Sequence, residues 1–91
     1  MELVSVIIPV YNREKTIKKA IESVLNQTYD NIEVIAVDDC SSDRSVEVIQ
    51  NINDKRVRVI TCQNNAGACR ARHIGIENAK GDFIAFQDSD D

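Results

Sequence analysis

Apolar residues occur in seven short runs along the 91-residue chain, and their spacing alternates between two kinds. Residues 3–9 are apolar and largely β-branched, and Pro9 is expected to end that strand. Over residues 13–26 the apolar positions are Ile17, Ala20, Ile21, Val24 and Leu25. Offsets of three and four put them on one helical stripe, with Asn12 as the expected N-cap. Residues 32–37 are apolar at almost every position, as suits a strand covered on both faces. Residues 42–53 return to helical spacing, with Val46, Ile49 and Ile52 inward. Ser41 or Ser42 would cap that helix, and Asp43 in its first turn would favour the dipole. Residues 57–62 form a third strand and residues 66–79 a third helix, which Gly81 would close as a C-cap. Residues 83–87 form a fourth strand, directly before Asp88-Ser89-Asp90-Asp91.

Strands separated by helical crossovers run parallel and cross over right-handed. The pattern therefore predicts one α/β unit, an open parallel sheet with helices on both faces. The fourth strand leaves an apolar edge along residues 83–87, so self-association into a homodimer through that edge is expected.

Composition narrows the function. Aromatics make up 4% of the chain and tryptophan is absent, so the core must be aliphatic. Eleven basic against fifteen acidic residues give a net charge of −4, which argues against a nucleic-acid partner. The three cysteines, Cys40, Cys62 and Cys69, lack zinc-type spacing and read as reduced thiols, packed as small hydrophobes in a cytoplasmic protein. No basic segment precedes the run Val6-Ile7-Ile8-Pro9-Val10, and that run is far short of the roughly 20 residues a membrane span needs. No signal peptide and no membrane segment are expected.

In an open parallel sheet, ligands bind beyond the carboxyl ends of the strands. Those ends carry Pro9-Val10-Tyr11-Asn12, then Asp38-Asp39, then Asn64-Asn65, then Asp88, Asp90 and Asp91. Three carboxylates within four residues repel one another unless a cation joins them. Hard oxygen ligands suit Mg²⁺ or Mn²⁺, whereas a solvated acidic segment is the plain alternative. Asp38 and Asp39 suit a ribose hydroxyl or a base N–H, or equally a turn and a helix cap. Tyr11 could stack on a nucleobase or pack over the sheet end. Arg70 and Arg72 could neutralise a diphosphate or lie on a solvated helix face, and His73 beside Ile74 reads as structural. The first turn, Pro9 to Arg13, contains no G-x-G-x-x-G and no P-loop, so bound phosphates would need a metal rather than a glycine cradle.

Taken in order, these segments resemble family 2 glycosyltransferases, the inverting family with the GT-A fold. The resemblance rests on Val4-Ser5-Val6-Ile7-Ile8-Pro9-Val10-Tyr11-Asn12, on Ser23-Val24-Leu25-Asn26-Gln27-Thr28-Tyr29 and on residues 33–43. It continues through Asn65-Ala66-Gly67, Ala71-Arg72 and residues 81–86 to Asp88-Ser89-Asp90-Asp91. It covers essentially the whole chain. Departures are His73, where the family often has Asn, and Gln87, where it often has an apolar residue.

The resemblance implies a strand order of 3-2-1-4 and one N-terminal nucleotide-sugar-binding subdomain, residues 1–91, cut after the D-x-D motif. It implies that Pro9, Val10 and Tyr11 meet a uracil-type base, with Asn12 beside them in the nucleotide-binding set, that Asp39 hydrogen-bonds the base, and that Asp38 supports the turn. Asn65, Gly67 and Arg72 would line the nucleotide pocket. Asp88 would face the ribose and metal waters, and Asp90 would ligate Mn²⁺ or Mg²⁺. The donor would be a nucleoside-diphosphate sugar, with UDP-sugar favoured, and the acceptor a saccharide or lipid-linked hydroxyl. The full-length protein would be cytoplasmic or peripheral to the inner face of the membrane. The general base of the family lies well after the D-x-D motif, so no catalytic residue is expected within residues 1–91, and the chain alone is expected to bind weakly and transfer nothing. Three other classes fit less well. A sugar-nucleotide nucleotidyltransferase wants a basic, glycine-rich first turn. A receiver domain wants acids after the first and third strands. A plain interaction module has only the exposed edge in its favour.

Overall fold

A computed structural model describes residues 2–65 and 67–90. Ala66, expected in the third helix, and Asp91, expected in the acidic cluster, lie outside the described residues. The elements are β1 (Val4–Val10), α1 (Ile17–Leu25), β2 (Ile32–Asp38), α2 (Ser45–Gln50), β3 (Val57–Thr61), α3 (Ala68–Asn78) and β4 (Phe83–Phe86). All strand pairs are parallel and the sheet order is β3-β2-β1-β4, as expected. The direction of strand addition reverses between β1 and β4.

Side chains of a strand alternate between its faces, and β1 and β2 supply both layers of the core. Val6, Ile8 and Val10 of β1, with Val34 and Ala36 of β2, pack against Ile17, Ile21 and Val24 of α1 and Ile49 of α2. Ile7, Ile35 and Val37 pack on the other face with Ala71 of α3. The buried hydrophobics are all Val, Ile or Ala, and each fully buried Val or Ile contributes roughly 1.5–3 kcal/mol. β3 is half-buried along most of its length, and every residue of β4 is exposed. Phe83 and Phe86, two of the four aromatic side chains, are thus on the outer edge at 56% and 51% exposure.

Pro9 does not end β1; it pairs with Val37 within the strand. The alternation of bonding sides along a parallel strand explains this. Ile7 accepts from Gln87 N–H on the β4 side at 3.1 Å, and Val10 accepts from Asp39 N–H on the β2 side at 2.8 Å. Pro9 therefore faces the β4 side, where the ladder has already ended at the Ile7–Phe86 pair, so its missing N–H costs no sheet bond.

The helix starts also differ from expectation. α1 begins at Ile17 because residues 13–16 form a separate turn closed by Thr16 and Ile17 N–H on the Arg13 carbonyl. Asn12 is not its N-cap. α2 begins at Ser45, and neither Ser41 nor Ser42 caps it; Asp43 accepts from the Ser45 N–H at 2.9 Å instead. Of the expected inward residues, Ile49 and Ile52 pack on the core together with Val48, and Val46 is half-buried. Gly81 does not close α3, which ends into extended backbone at Ala79. A Cβ on Gly81 would lie 2.5 Å from Ser5 Oγ and 2.8 Å from the Leu3 carbonyl. The glycine is needed for close approach to β1, where its N–H donates to Ser5 Oγ at 2.8 Å.

Candidate functional site

Because the strands are parallel, their carboxyl ends share one rim, and the reversal between β1 and β4 opens a crevice there. The crevice holds a cleft of about 300 Å³. Pro9, Val10 and Tyr11 line it from β1, Asp39 from the end of β2, Ala68 and Arg72 from α3, and Asp88, Ser89 and Asp90 from beyond β4. Arg13 completes the wall. Four segments far apart in sequence thus place an aromatic ring, three carboxylates and two guanidinium groups around one opening.

Asp39 is the buried member of this set, at 4% exposure. Its Oδ2 accepts the Gly67 N–H at 2.8 Å, so the carboxylate joins the β2 end to the start of α3. Gly67 has φ +91, which an L side chain adopts only under strain, although a Cβ there would touch nothing within 4 Å. Its role is conformational: it aims an N–H at Asp39. Asp38 turns into the protein at 2% exposure and accepts from Ser41 N–H at 2.9 Å and Ser41 Oγ at 2.5 Å. Tyr11 is 44% exposed at the mouth, where its ring face can meet a ligand. Arg72 lines the cleft, whereas Arg70 lines a separate concavity with Cys62 and Asn64. Asn65 is exposed and lies outside the cleft lining.

Asn12 also stands outside the lining and works as a clamp between loops. It has φ +52, a conformation asparagine tolerates. Its Oδ1 accepts from Ser42 N–H at 2.8 Å and Asp43 N–H at 3.3 Å, and its own N–H donates to Ser41 Oγ at 2.9 Å. Beside it, Arg13 N–H donates to Ser45 Oγ at 2.7 Å and Glu14 N–H to Asp43 Oδ2 at 3.2 Å. Burial works against the charged form of Asp43, but the Ser45 hydroxyl and N–H and the Glu14 N–H outweigh it and hold its pKa below the usual value. These bonds lock the β1–α1 loop to the β2–α2 loop, and so fix Tyr11 relative to Asp39. Thr16 Oγ1 does the same for the acidic segment by donating to the Ser89 carbonyl at 3.0 Å.

Asp88 and Asp90 are exposed, with the buried Ser89 between them. Among the described residues, no group of three His, Cys, Asp or Glu side chains could hold a metal ion alone. Two carboxylates fit a hard divalent cation only if a ligand's phosphate oxygens and water complete the shell, as Mg²⁺ sites commonly require. Cys40 and Cys69 are exposed and Cys62 half-buried, so two of the three are not the packed hydrophobes expected. Burial pushes the Cys62 thiol up, and the nearby Asp39 and Asp38 add to the effect, so it stays protonated. His73 is solvated, 3.6 Å from Glu77 one turn on, rather than structural.

The model described as Glycosyl transferase family 2 matches residues 5–91. The chain belongs to glycosyl transferase family 2. An uncharacterized glycosyltransferase of Haemophilus influenzae is 52% identical over all of the chain and 37% of its own length. The Escherichia coli UDP-Glc:alpha-D-GlcNAc-diphosphoundecaprenol beta-1,3-glucosyltransferase WfaP is 48% identical over all of the chain and 36% of its own length. Among solved structures, S. aureus TarS 1-349 in complex with UDP-GlcNAc superposes with a TM-score of 0.90 at 34% identity, over 99% of this chain and 27% of that one. The mannosyltransferase PcManGT from Pyrobaculum calidifontis, in complex with GDP-Man and Mn2+, gives 0.87 at 25% identity, over 96% of this chain and 27% of that one. These neighbours are GT-A glycosyltransferases. The chain spans little more than a third of the length of these curated relatives. Among the described residues, no helix is long and apolar enough to cross a membrane.

Proposed function

We propose that this chain is the nucleotide-binding part of a glycosyltransferase whose donor is a nucleoside-diphosphate sugar, with UDP-sugar favoured, bound together with Mn²⁺ or Mg²⁺. The observation that carries the reading is the convergence of Tyr11, Asp39, Arg72, Asp88 and Asp90 on one cleft at the β1/β4 reversal. Tyr11 stacks on the base at the mouth. Asp39, positioned by the Gly67 N–H, accepts a base N–H and thereby orients the ring. Arg72 faces the nucleotide from α3. Asp88 and Asp90 hold the metal, which when bound offsets the charge of the departing nucleoside diphosphate. Co-crystals of TarS with UDP-GlcNAc and of PcManGT with GDP-Man and Mn2+ support this class of ligand.

In the whole protein the sugar passes with inversion to a saccharide or lipid-linked hydroxyl. With Asp39 assigned to the base and Asp88 and Asp90 to the metal, deprotonation of the acceptor falls to a group outside this cleft, and residues 1–91 alone are expected to transfer nothing. The exposed β4 edge supports self-association into a homodimer. The test of the nucleotide reading is calorimetric titration with UDP, GDP and TDP, each with and without Mn²⁺. Manganese-dependent binding of one of them, lost in Asp90→Ala, is expected. Equal binding by Asp90→Ala would remove the metal assignment, and no binding of any nucleotide would remove the reading.

A further inference from the structure

Asp88 and Asp90 stand on a segment that follows an unsupported strand. β4 is exposed along its whole length, and Gln87 N–H on the Ile7 carbonyl at 3.1 Å extends its ladder to β1 by one residue. Past that point the segment is anchored at its middle. Ser89 is buried at 8% exposure, whereas Asp88 and Asp90 on either side of it are exposed. The Ser89 carbonyl accepts from Thr16 Oγ1 at 3.0 Å, a contact between residues 73 apart in sequence.

Thr16 is itself firmly placed. Its N–H closes a turn on the Arg13 carbonyl at 3.0 Å, and its carbonyl accepts from Ala20 N–H at 3.0 Å as α1 begins. Ile17, the next residue, is fully buried in the core. A hydroxyl has one proton to donate, and here it goes to Ser89. Thr16 and Asp90 also share the walls of a concavity of about 330 Å³ beside the cleft. A post fixed to the core thus holds the backbone between two exposed carboxylates.

Such a tie bears on cation binding. Carboxylates on a loose segment must be ordered when they take up an ion, and that ordering subtracts from affinity. A hydrogen bond made before the ion arrives removes part of the cost, as outer partners do when they orient metal ligands. We propose that Thr16 is a positioning residue for the divalent cation: through the Ser89 carbonyl it holds Asp88 and Asp90 ready, and it raises metal affinity without touching metal or nucleotide. This rests on the metal and nucleotide reading given above. It makes the metal affinity of the acidic segment depend on the start of α1, a helix that lends no side chain to the main cleft.

The test measures free Mn²⁺ by electron paramagnetic resonance during titration of the chain with saturating UDP, GDP or TDP, whichever wild type binds. Nucleotide binding in chelator, followed by amide shifts, runs in parallel, and urea unfolding reports the fold of each variant. Thr16→Val keeps the shape and loses the hydroxyl, Thr16→Ala loses both, and Thr16→Ser keeps the hydroxyl. Thr16→Val and Thr16→Ala are expected to weaken Mn²⁺ binding by about 3- to 10-fold while nucleotide binding in chelator is unchanged. Thr16→Ser is expected to stay within about twofold of wild type, whatever it loses in stability. Unchanged Mn²⁺ affinity in Thr16→Val and Thr16→Ala overturns the proposal. So does an equal loss with and without metal, or a loss in Thr16→Ser as large as in Thr16→Val, since either makes the residue merely structural. Wild type that binds nucleotide but no Mn²⁺ overturns the proposal and the metal assignment while nucleotide binding stands. No binding of any of the three nucleotides, with or without Mn²⁺, removes the nucleotide reading as well.

Discussion

Gly75 lies in the middle of α3 where a residue with better helix propensity would ordinarily be preferred. Replacing an interior helical glycine by alanine gains about 1 kcal/mol from the backbone alone. Here that gain meets a barrier. A Cβ built at Gly75 lies 2.5 Å from Ile7 Cγ2, 3.1 Å from Cγ1 and 3.2 Å from Cδ1. Ile7 is fully buried in β1, and the atom in the way is a β-branch that cannot swing aside without leaving its rotamer. Either Ile7 distorts or α3 lifts from the sheet. Overpacking of this kind costs about 1–3 kcal/mol, so the steric term outweighs the propensity term. Gly75→Ala is expected to destabilise the chain by about 1–2 kcal/mol in urea unfolding, with Tm lowered by roughly 4–8 °C per kcal/mol.

The sign of the effect should depend on Ile7. Ile7→Ala alone costs about 2–5 kcal/mol by leaving a cavity. In that background the Gly75 methyl enters vacated space, and Gly75→Ala should become stabilising. A double-mutant cycle measures the difference directly. A Tm that rises in Gly75→Ala, or an equal loss in both backgrounds, would refute the steric account. Ala68 and Arg72 ride on the same helix, so the same displacement should also weaken nucleotide binding through the cleft wall.

Two further outcomes follow from groups away from the cleft. Burial disfavours ionised Glu33, but the Ser5 hydroxyl, the Lys80 N–H and the charges of Arg58 and Lys80 prevail, holding its pKa below the ordinary 4.5. A depressed carboxylate stabilises the fold fully above about pH 4.5 and loses that contribution as pH falls through the folded pKa; Glu33→Gln should flatten the acid limb of a stability-versus-pH curve, and an unaltered limb would count against the network. β4 exposes Phe83, Ile84 and Phe86 along an unpaired edge, so the chain should self-associate with concentration in sedimentation and Phe86→Lys should suppress it; a monodisperse wild-type monomer at high concentration would remove the edge as an interface.

The strands were legible in the sequence because they depend on patterns that are local and repeated, whereas their order, β3-β2-β1-β4, was legible only through the family resemblance. β2 reads apolar throughout because both its faces are covered, and helix α1 shows its stripe at Ile17, Ala20, Ile21 and Val24. What stayed hidden is held by contacts between residues distant in sequence. Asn12 looks like a helix cap, since it is a capping residue ahead of an apolar stripe, but its acceptor is used by Ser42 and Asp43, thirty and thirty-one residues away. Ser41 and Ser42 likewise look like caps until Asp38 and Asn12 engage them. Gly81 reads as a helix end, yet its reason is the Ser5 side chain seventy-six residues earlier. The same limit applies to the cleft. Tyr11, Asp39, Arg72, Asp88 and Asp90 could be proposed from strand ends and resemblance, because each follows an element that the pattern locates. Arg13 could not, since a single arginine in a polar turn carries no signal until the fold shows it lining the cleft with its Nε buried. Asn12, Ser41 and Ser42 were hard to read because their polar groups are engaged between loops at the rim, and the rim is where a parallel sheet assembles a site from separate loops.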